Sequence, residues 1–315
     1  MKWSAFPVFI VCSILLSACS PEEVPTIYSK VKVSDHSLND LLFVKDSVVY
    51  TVSGDTWYSG GIHVSTNAGN SWKTDTISAV GLNSIALSPS GRMFAGGYAG
   101  FLFTKEVNAP WQQINIGTYD IYKSISYSPQ GRLFLASGTS FFYGKIFQAN
   151  ENLEITQQDS LGIDLRQILY FDDLNYAAIG YGGTYYSSDA GMKWIRTDLI
   201  GDNFTSAVIL DQNTAVGIGF NGTLIKTKNK GKAWEKIDGG SNFDVSFPGF
   251  SKIILLNDGS LVVCGRKGNI WITTNEGKSW KKAETFTDAH FTSMINKGQQ
   301  IYLTASDGNL YRVLF

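Results

Sequence analysis

The sequence predicts an all-β fold, a seven-bladed β-propeller of four-stranded antiparallel blades whose ring is closed by an N-terminal strand. Three observations lead there. Glycine is abundant at 32 of 315 residues and aromatic residues reach 13%, while no stretch keeps a 3.6-residue apolar period over several turns; this is the composition of many short strands joined by tight turns. One pattern, Ser/Thr-x-Asp/Asn-x-Gly-x-x-Trp, returns along the chain. Its copies are about one blade apart.

The pattern is met in full at Asn67, Gly69 and Trp72, at Asp189, Gly191 and Trp194, at Asn229, Gly231 and Trp234, and at Asn275, Gly277 and Trp280. Two degenerate copies keep the grid, one ending at Trp111 with Asn108 in the glycine place, the other ending at Ile155 with Asn152 there. Asparagine tolerates the left-handed backbone next best after glycine, so the turn survives the exchange. Successive tryptophan positions lie 39, 44, 39, 40 and 46 residues apart. In such a turn a short polar side chain bonds its own backbone, and the tryptophan packs between blades. The acid and amides of the boxes therefore read as turn formers, not as metal ligands or paired catalytic acids.

A second repeat, Gly-x-x-Gly, lies upstream at residues 97–100, 180–183, 219–222 and 265–268. These read as the turns between the second and third strands of a blade, and with no helix following them they hold no dinucleotide. Six boxes mark six blades; the tail from Phe291 supplies three more strands, and Ile27 to Val33 supplies the missing outer one, closing a seventh blade without an open edge.

The first residues are an address. Lys2, an apolar run from Trp3 to Leu16 and the ending Leu16-Ser17-Ala18-Cys19 have the pattern of a signal peptide too short to span a bilayer. The ending resembles a bacterial lipobox, which implies removal of residues 1–18, acylation of Cys19, a lipidated tether over 19–26 and a propeller over 27–315. Ser20 after the cysteine is not the aspartate of inner-membrane retention, so the expected place is the cell envelope, at the outer membrane, with the periplasmic or surface face left open. Of three cysteines only Cys264 remains in the folded part, within an apolar strand, so no intrachain disulfide forms there.

In a propeller the boxes fall on the bottom face, and the second-to-third turns and interblade loops fall on the top. The top face therefore collects Tyr98, Tyr181, Phe220, Arg266 and Lys267 from turns, with Lys123, Arg166, Lys252 and His290 from interblade loops. Aromatic and basic side chains of this kind anchor binding surfaces. The three histidines, His36, His63 and His290, have no metal-ligand spacing, and no cofactor motif is present, so neither metal nor cofactor is expected. A net charge of -1 gives no field for nucleic acid.

The box repeat resembles the Asp-box, or BNR, repeat of sialidases and related glycoside hydrolases. That resemblance implies a three-arginine clamp on a substrate carboxylate, its first arginine ahead of the first box. No arginine lies between Ser20 and Val64, and of six arginines only Arg166 and Arg266 reach the top face; Arg92, Arg132, Arg196 and Arg312 belong elsewhere. The combined unit of Gly-x-x-Gly, apolar strand and box is more similar to the Ycf48/Hcf136-like propellers, non-enzymatic photosystem II assembly factors that bind membrane-protein precursors. The resemblance implies a protein-binding scaffold with a protein partner; the expected form is a monomeric propeller, placed at the envelope by the lipobox-like ending. The alternative is a surface glycan-binding protein or sialidase-like hydrolase.

Overall fold

The computed structural model describes residues 27–106, 108–139, 143–150, 154–240, 243 and 248–314. The signal segment, Cys19 with its tether, and Asn152 of the degenerate box lie outside the described residues.

Strand β1 (Ile27–Lys32) precedes the first sheet, formed by β2 (Leu38–Phe43), β3 (Val49–Asp55), β4 (Tyr58–Ser65) and β5 (Lys73–Ser78). The second sheet holds β6 (Leu82–Leu87), β7 (Met93–Gly97), β8 (Leu102–Lys105) and β9 (Gln112–Ile114). The third holds β10 (Tyr122–Tyr127), β11 (Leu133–Ser137), β12 (Gly144–Ala149) and β13 (Ile155–Leu161). The fourth runs through β14 (Leu165–Tyr170), β15 (Tyr176–Ser187), β16 (Ile195–Ile209), β17 (Ala215–Gly219), β18 (Leu224–Thr227) and β19 (Glu235–Ile237). The fifth is β20 (Lys252–Leu255), β21 (Leu261–Cys264), β22 (Ile270–Thr273) and β23 (Lys281–Lys282). The sixth is β24 (Phe291–Lys297), β25 (Gln300–Ala305) and β26 (Asn309–Leu314), with β1 on its outer edge.

The expected count of seven blades is thereby corrected to six, five of four strands and one of six. The cause lies at residues 180–183, where a tight turn was expected. Instead β15 bends through Gly182, whose φ is 78°, and the bend keeps its pairing, Tyr181 opposite Asn203 and Gly183 opposite Ile200 on β16. Because β16 pairs with β15 through its first part and with β17 from Phe204 onward, the hydrogen-bond ladder never breaks between the two box repeats.

The strands nearest the axis follow one another as β2, β6, β10, β14, the second part of β16, β20 and β24, which returns to β2. The chain ends meet in the sixth sheet: β1 pairs antiparallel with β26, Ile27 opposite Leu314 through Lys32 opposite Asn309, and Tyr28 stacks on Phe286 at 4.4 Å. Second strands such as β7, β11, β17 and β21 are buried along their whole length, since a sheet lies on each of their faces. Box tryptophans bury themselves against the preceding sheet, Trp194 against Phe134 and Ile146, and Trp280 against Val216 and Ile218. Trp72 does the same across the closure, against Tyr302 and Leu310.

Candidate binding site at the channel mouth

Nearly every axial strand carries a β-bulge near its top. The register slips between Leu38 and Asp40, Leu82 and Ser84, Tyr122 and Ser124, Leu165 and Gln167, Phe204 and Ser206, and Phe291 and Ser293. A bulge re-aims the extra residue, here toward the axis. The residues so placed are Asn39, Asn83, Lys123, Arg166, Thr205 and Thr292, and all of them line one cavity of about 650 Å³ at the mouth of the channel.

Most of these positions bond the next axial strand. Asn39 Nδ2 donates to Leu82 O at 2.8 Å and Asn83 Nδ2 to Tyr122 O at 2.9 Å. Thr205 Oγ1 donates to Phe250 O at 3.0 Å, Ser251 Oγ to Phe291 O at 2.7 Å, and Thr292 Oγ1 to Leu38 O. Two links of this chain of staples are missing among the described residues. At Lys123 and Arg166 the small polar side chain is replaced by a long cation that makes no such bond, which leaves both cations free to face the mouth.

Arg166 is held by one arm, Nη2 lying 3.0 Å from Oδ2 of the buried Asp164. Its buried Nε has no hydrogen-bond partner among the described residues, nor has the buried Oδ1 of Asn203 on the same wall. Lys123 Nζ sits 5.4 Å over the Tyr98 ring. Burial, reinforced by the Arg166 charge, pushes the Lys123 amine down to about 8. Across the mouth, Lys252 faces Asp40, which accepts bonds from Ile85 N, Ser84 Oγ, Ser293 Oγ and Leu41 N; burial raises the Asp40 carboxyl, and Lys252 opposes that rise.

Of the residues singled out in the sequence, Tyr98, Lys123, Arg166, Phe220 and Lys252 share this cavity. Arg266 joins from above, its guanidinium carbon 4.7 Å over the Phe220 ring. Phe220 is presented by a turn that the buried Asp202 organises through the N–H groups of Asn221 and Thr223. Tyr181, Lys267 and His290 do not line the cavity; Lys267 N–H donates to His290 Nδ1 at 3.1 Å in a separate exposed corner. Sequence reasoning passed over Trp57, an exposed side chain 5.2 Å from Tyr98, and over Asp164 and Asp202, which hold the site in place.

The boxes lie at the other ends of the strands and are occupied with their own turns. Ser187 Oγ accepts from Gly191 N at 2.9 Å and donates to Asp189 Oδ1, which accepts from Lys193 N at 2.9 Å. Asn67, Asn229 and Asn275 repeat the arrangement with Ser71, Ala233 and Ser279. In each, a left-handed residue precedes the left-handed glycine, as at Ala190 and Gly191. Trp72 and Trp280 close their turns by donating to Gly69 O and Gly277 O, whereas Trp111 reaches Asp75 Oδ2. No cluster of metal-ligating side chains occurs among the described residues.

Repeated Asp boxes at one end and a cationic, aromatic-rimmed cavity at the other define an Asp-box propeller whose candidate site lies at one end of its axis. The chain belongs to the photosynthesis system II assembly factor YCF48 family, whose pattern matches residues 54–228, more than half of its length. Among solved structures, YCF48 bound to D1 peptide superposes with a TM-score of 0.70 at 13% identity, over 91% of this chain and 95% of that one. YCF48 from Cyanidioschyzon merolae gives 0.66 at 12%, over 91% and 98%. Virginiamycin B lyase from Staphylococcus aureus gives 0.75 at 8%, over 92% and 99%. At these identities the likeness is one of fold. No curated protein matches the sequence.

Proposed function

We propose that this propeller is a lipid-anchored assembly scaffold of the bacterial envelope that grips a segment of a partner protein at its channel mouth. The observation that carries the reading is the pair of missing staples. Lys123 and Arg166 occupy positions that elsewhere serve the fold, and they give up that service to present charge beside Tyr98, Phe220 and Arg266. Half-buried cations, Arg166 with an unpartnered Nε–H, beside half-exposed aromatic rings suit a peptide carrying carboxylates and apolar side chains. A relative in the same family, YCF48, has been captured with a D1 peptide, which supports a protein ligand over a glycan. The Leu16-Ser17-Ala18-Cys19 ending supports attachment through Cys19, and Ser20 supports the outer membrane.

Photo-crosslinking residues placed at Tyr98 and Phe220 in growing cells, and at bottom-face Lys278 for comparison, test the reading. The scaffold assignment predicts a discrete envelope protein attached from the two top positions alone. Attachment from Lys278 alone, or none from any position, contradicts it.

A further inference from the structure

Outside the mouth, the tip of the first sheet brings together three side chains that the fold does not require. Ser59 Oγ lies 3.0 Å from His36 Nε2, and His36 Nδ1 lies 2.7 Å from Asp55 Oδ2. An ionised carboxylate only accepts, so Nδ1 carries the proton toward Asp55, and Nε2 is left as the acceptor for the Ser59 hydroxyl. Nucleophile, base and orienting acid are thus aligned in hydrogen-bond contact, the geometry by which acyl-transfer triads are recognised whatever their fold.

The arrangement is held from behind. Asp55 Oδ1 accepts from Ser37 N at 3.3 Å, and His36 N donates to Ser34 Oγ at 3.1 Å. The hairpin is pinned by Gly54 N to Ser37 O and by Gly81 N to Thr56 O. At Gly81 the approach is so close that an added Cβ would stand 2.9 Å from Thr56 N. Ser59 is open to solvent, and the exposed Trp57 and Tyr58 flank it. The equivalent turns at 97–100, 219–222 and 265–268 are bare Gly-x-x-Gly, so this longer tip with its three polar groups exceeds what blade geometry needs.

We propose that Ser59, His36 and Asp55 form an acyl-transfer site that cleaves esters bearing an aromatic group. Ser59 Oγ attacks the ester carbonyl carbon while its proton passes to His36 Nε2. The carbonyl–alkoxy bond breaks, and the leaving alcohol takes that proton. Water then attacks the acyl carbon and gives its proton to the same imidazole; the acyl–Oγ bond breaks, the imidazolium returns the proton to Ser59 Oγ, and the acid leaves. Ser59 and His36 are the catalytic residues. Asp55 is a positioning residue that acts through the imidazole. Trp57 and Tyr58 offer stacking faces to an aryl group.

The test uses the full chain, a fluorophosphonate probe and p-nitrophenyl acetate. The proposal predicts stoichiometric labelling mapped to Ser59 and ester turnover roughly 10²–10⁴-fold above background. Ser59→Ala abolishes both, and His36→Ala lowers turnover to background. Asp55→Asn lowers kcat with KM unchanged, and Asp55→Glu restores part of it. All three sites are exposed or half-buried, so unchanged melting temperatures of the four variants serve as the folding control. An unlabelled wild type, labelling at another residue, or a Ser59→Ala chain that still turns over ester overturns the proposal.

Discussion

The guanidinium of Arg166 meets the carboxylate of Asp164, two residues earlier on the same strand entrance, at 3.0 Å, with Asp164 buried and Arg166 about a quarter exposed at 26%. The pair ties the charge at the mouth to the wall of the channel. Arg166→Ala leaves a buried carboxylate alone, and the fold is expected to lose up to about 3 kcal/mol. The same change removes one of the two causes that depress Lys123, so its amine rises toward the ordinary lysine range, while burial keeps it below that range. Chemical denaturation measures the first effect, and titration of isotope-labelled lysine measures the second.

The missing staples make a sharper prediction. Asparagine at position 39 or 83 donates to the next axial strand, so Lys123→Asn supplies the same bond toward Leu165 O. It also removes a half-buried cation. Stability is expected to rise by about 1 kcal/mol while partner binding falls. A thermal melt and a binding assay on one variant check both. A Lys123→Asn chain that gains no stability contradicts the reading of the bulge position as a staple.

His63 gives the fold an acid limit. It is buried between Ser53 Oγ at 2.8 Å and Thr74 Oγ1 at 3.2 Å, and burial, with a smaller push from His36, lowers its ring from 6.5 to about 4. The folded ring therefore protonates later than the unfolded one. Above 6.5 neither state takes the proton and His63 costs nothing. Between 6.5 and 4 the unfolded chain binds it and stability falls with pH, by on the order of 3 kcal/mol in all. His63→Gln should flatten urea midpoints over that window.

Two glycines with nearly the same backbone separate conformation from packing. Gly182 has a φ of 78° and open space where a Cβ would go; Gly231 has a φ of 79° and would set that Cβ 2.5 Å from Ala177 Cβ. Gly182→Ala should cost about 1 kcal/mol, the left-handed penalty. Gly231→Ala should cost that and about 1–3 kcal/mol more for overpacking. Denaturation midpoints of the two variants compare them directly.

Much of the architecture was legible because its signals are local. A box turn is written in eight contiguous residues, and Ser187, Asp189 and Gly191 suffice to close it wherever the chain goes next. The union of two repeats into one sheet was not legible, since it depends on Tyr181 and Gly183 meeting Asn203 and Ile200 across a gap that tertiary packing sets. Gly182 and Gly201 make both stretches look like turns. At the mouth, strand order placed Tyr98, Lys123, Arg166, Phe220 and Lys252 together. Asp164 and Asp202 were missed because a buried acid in a loop looks like a solvated one. Trp57, between two alternating strands at a hairpin tip, was a signal available to be read.

The channel mouth as the working face is the central claim, and Arg266 tests it most directly, since that side chain is exposed and lies over the Phe220 ring at the mouth. Lys278 is the control on the opposite face; Lys230 is unsuitable because its Nζ bonds Asp172 at 2.7 Å. With a cross-linked partner identified and purified, its affinity is measured for Arg266→Glu and Lys278→Glu alongside melting temperatures. Exposed charge reversals leave stability nearly unchanged. The account predicts at least tenfold weaker binding, about 1.4 kcal/mol, for Arg266→Glu and wild-type affinity for Lys278→Glu. Unchanged affinity in the first with a loss in the second would place the working face on the Asp-box side and contradict the account.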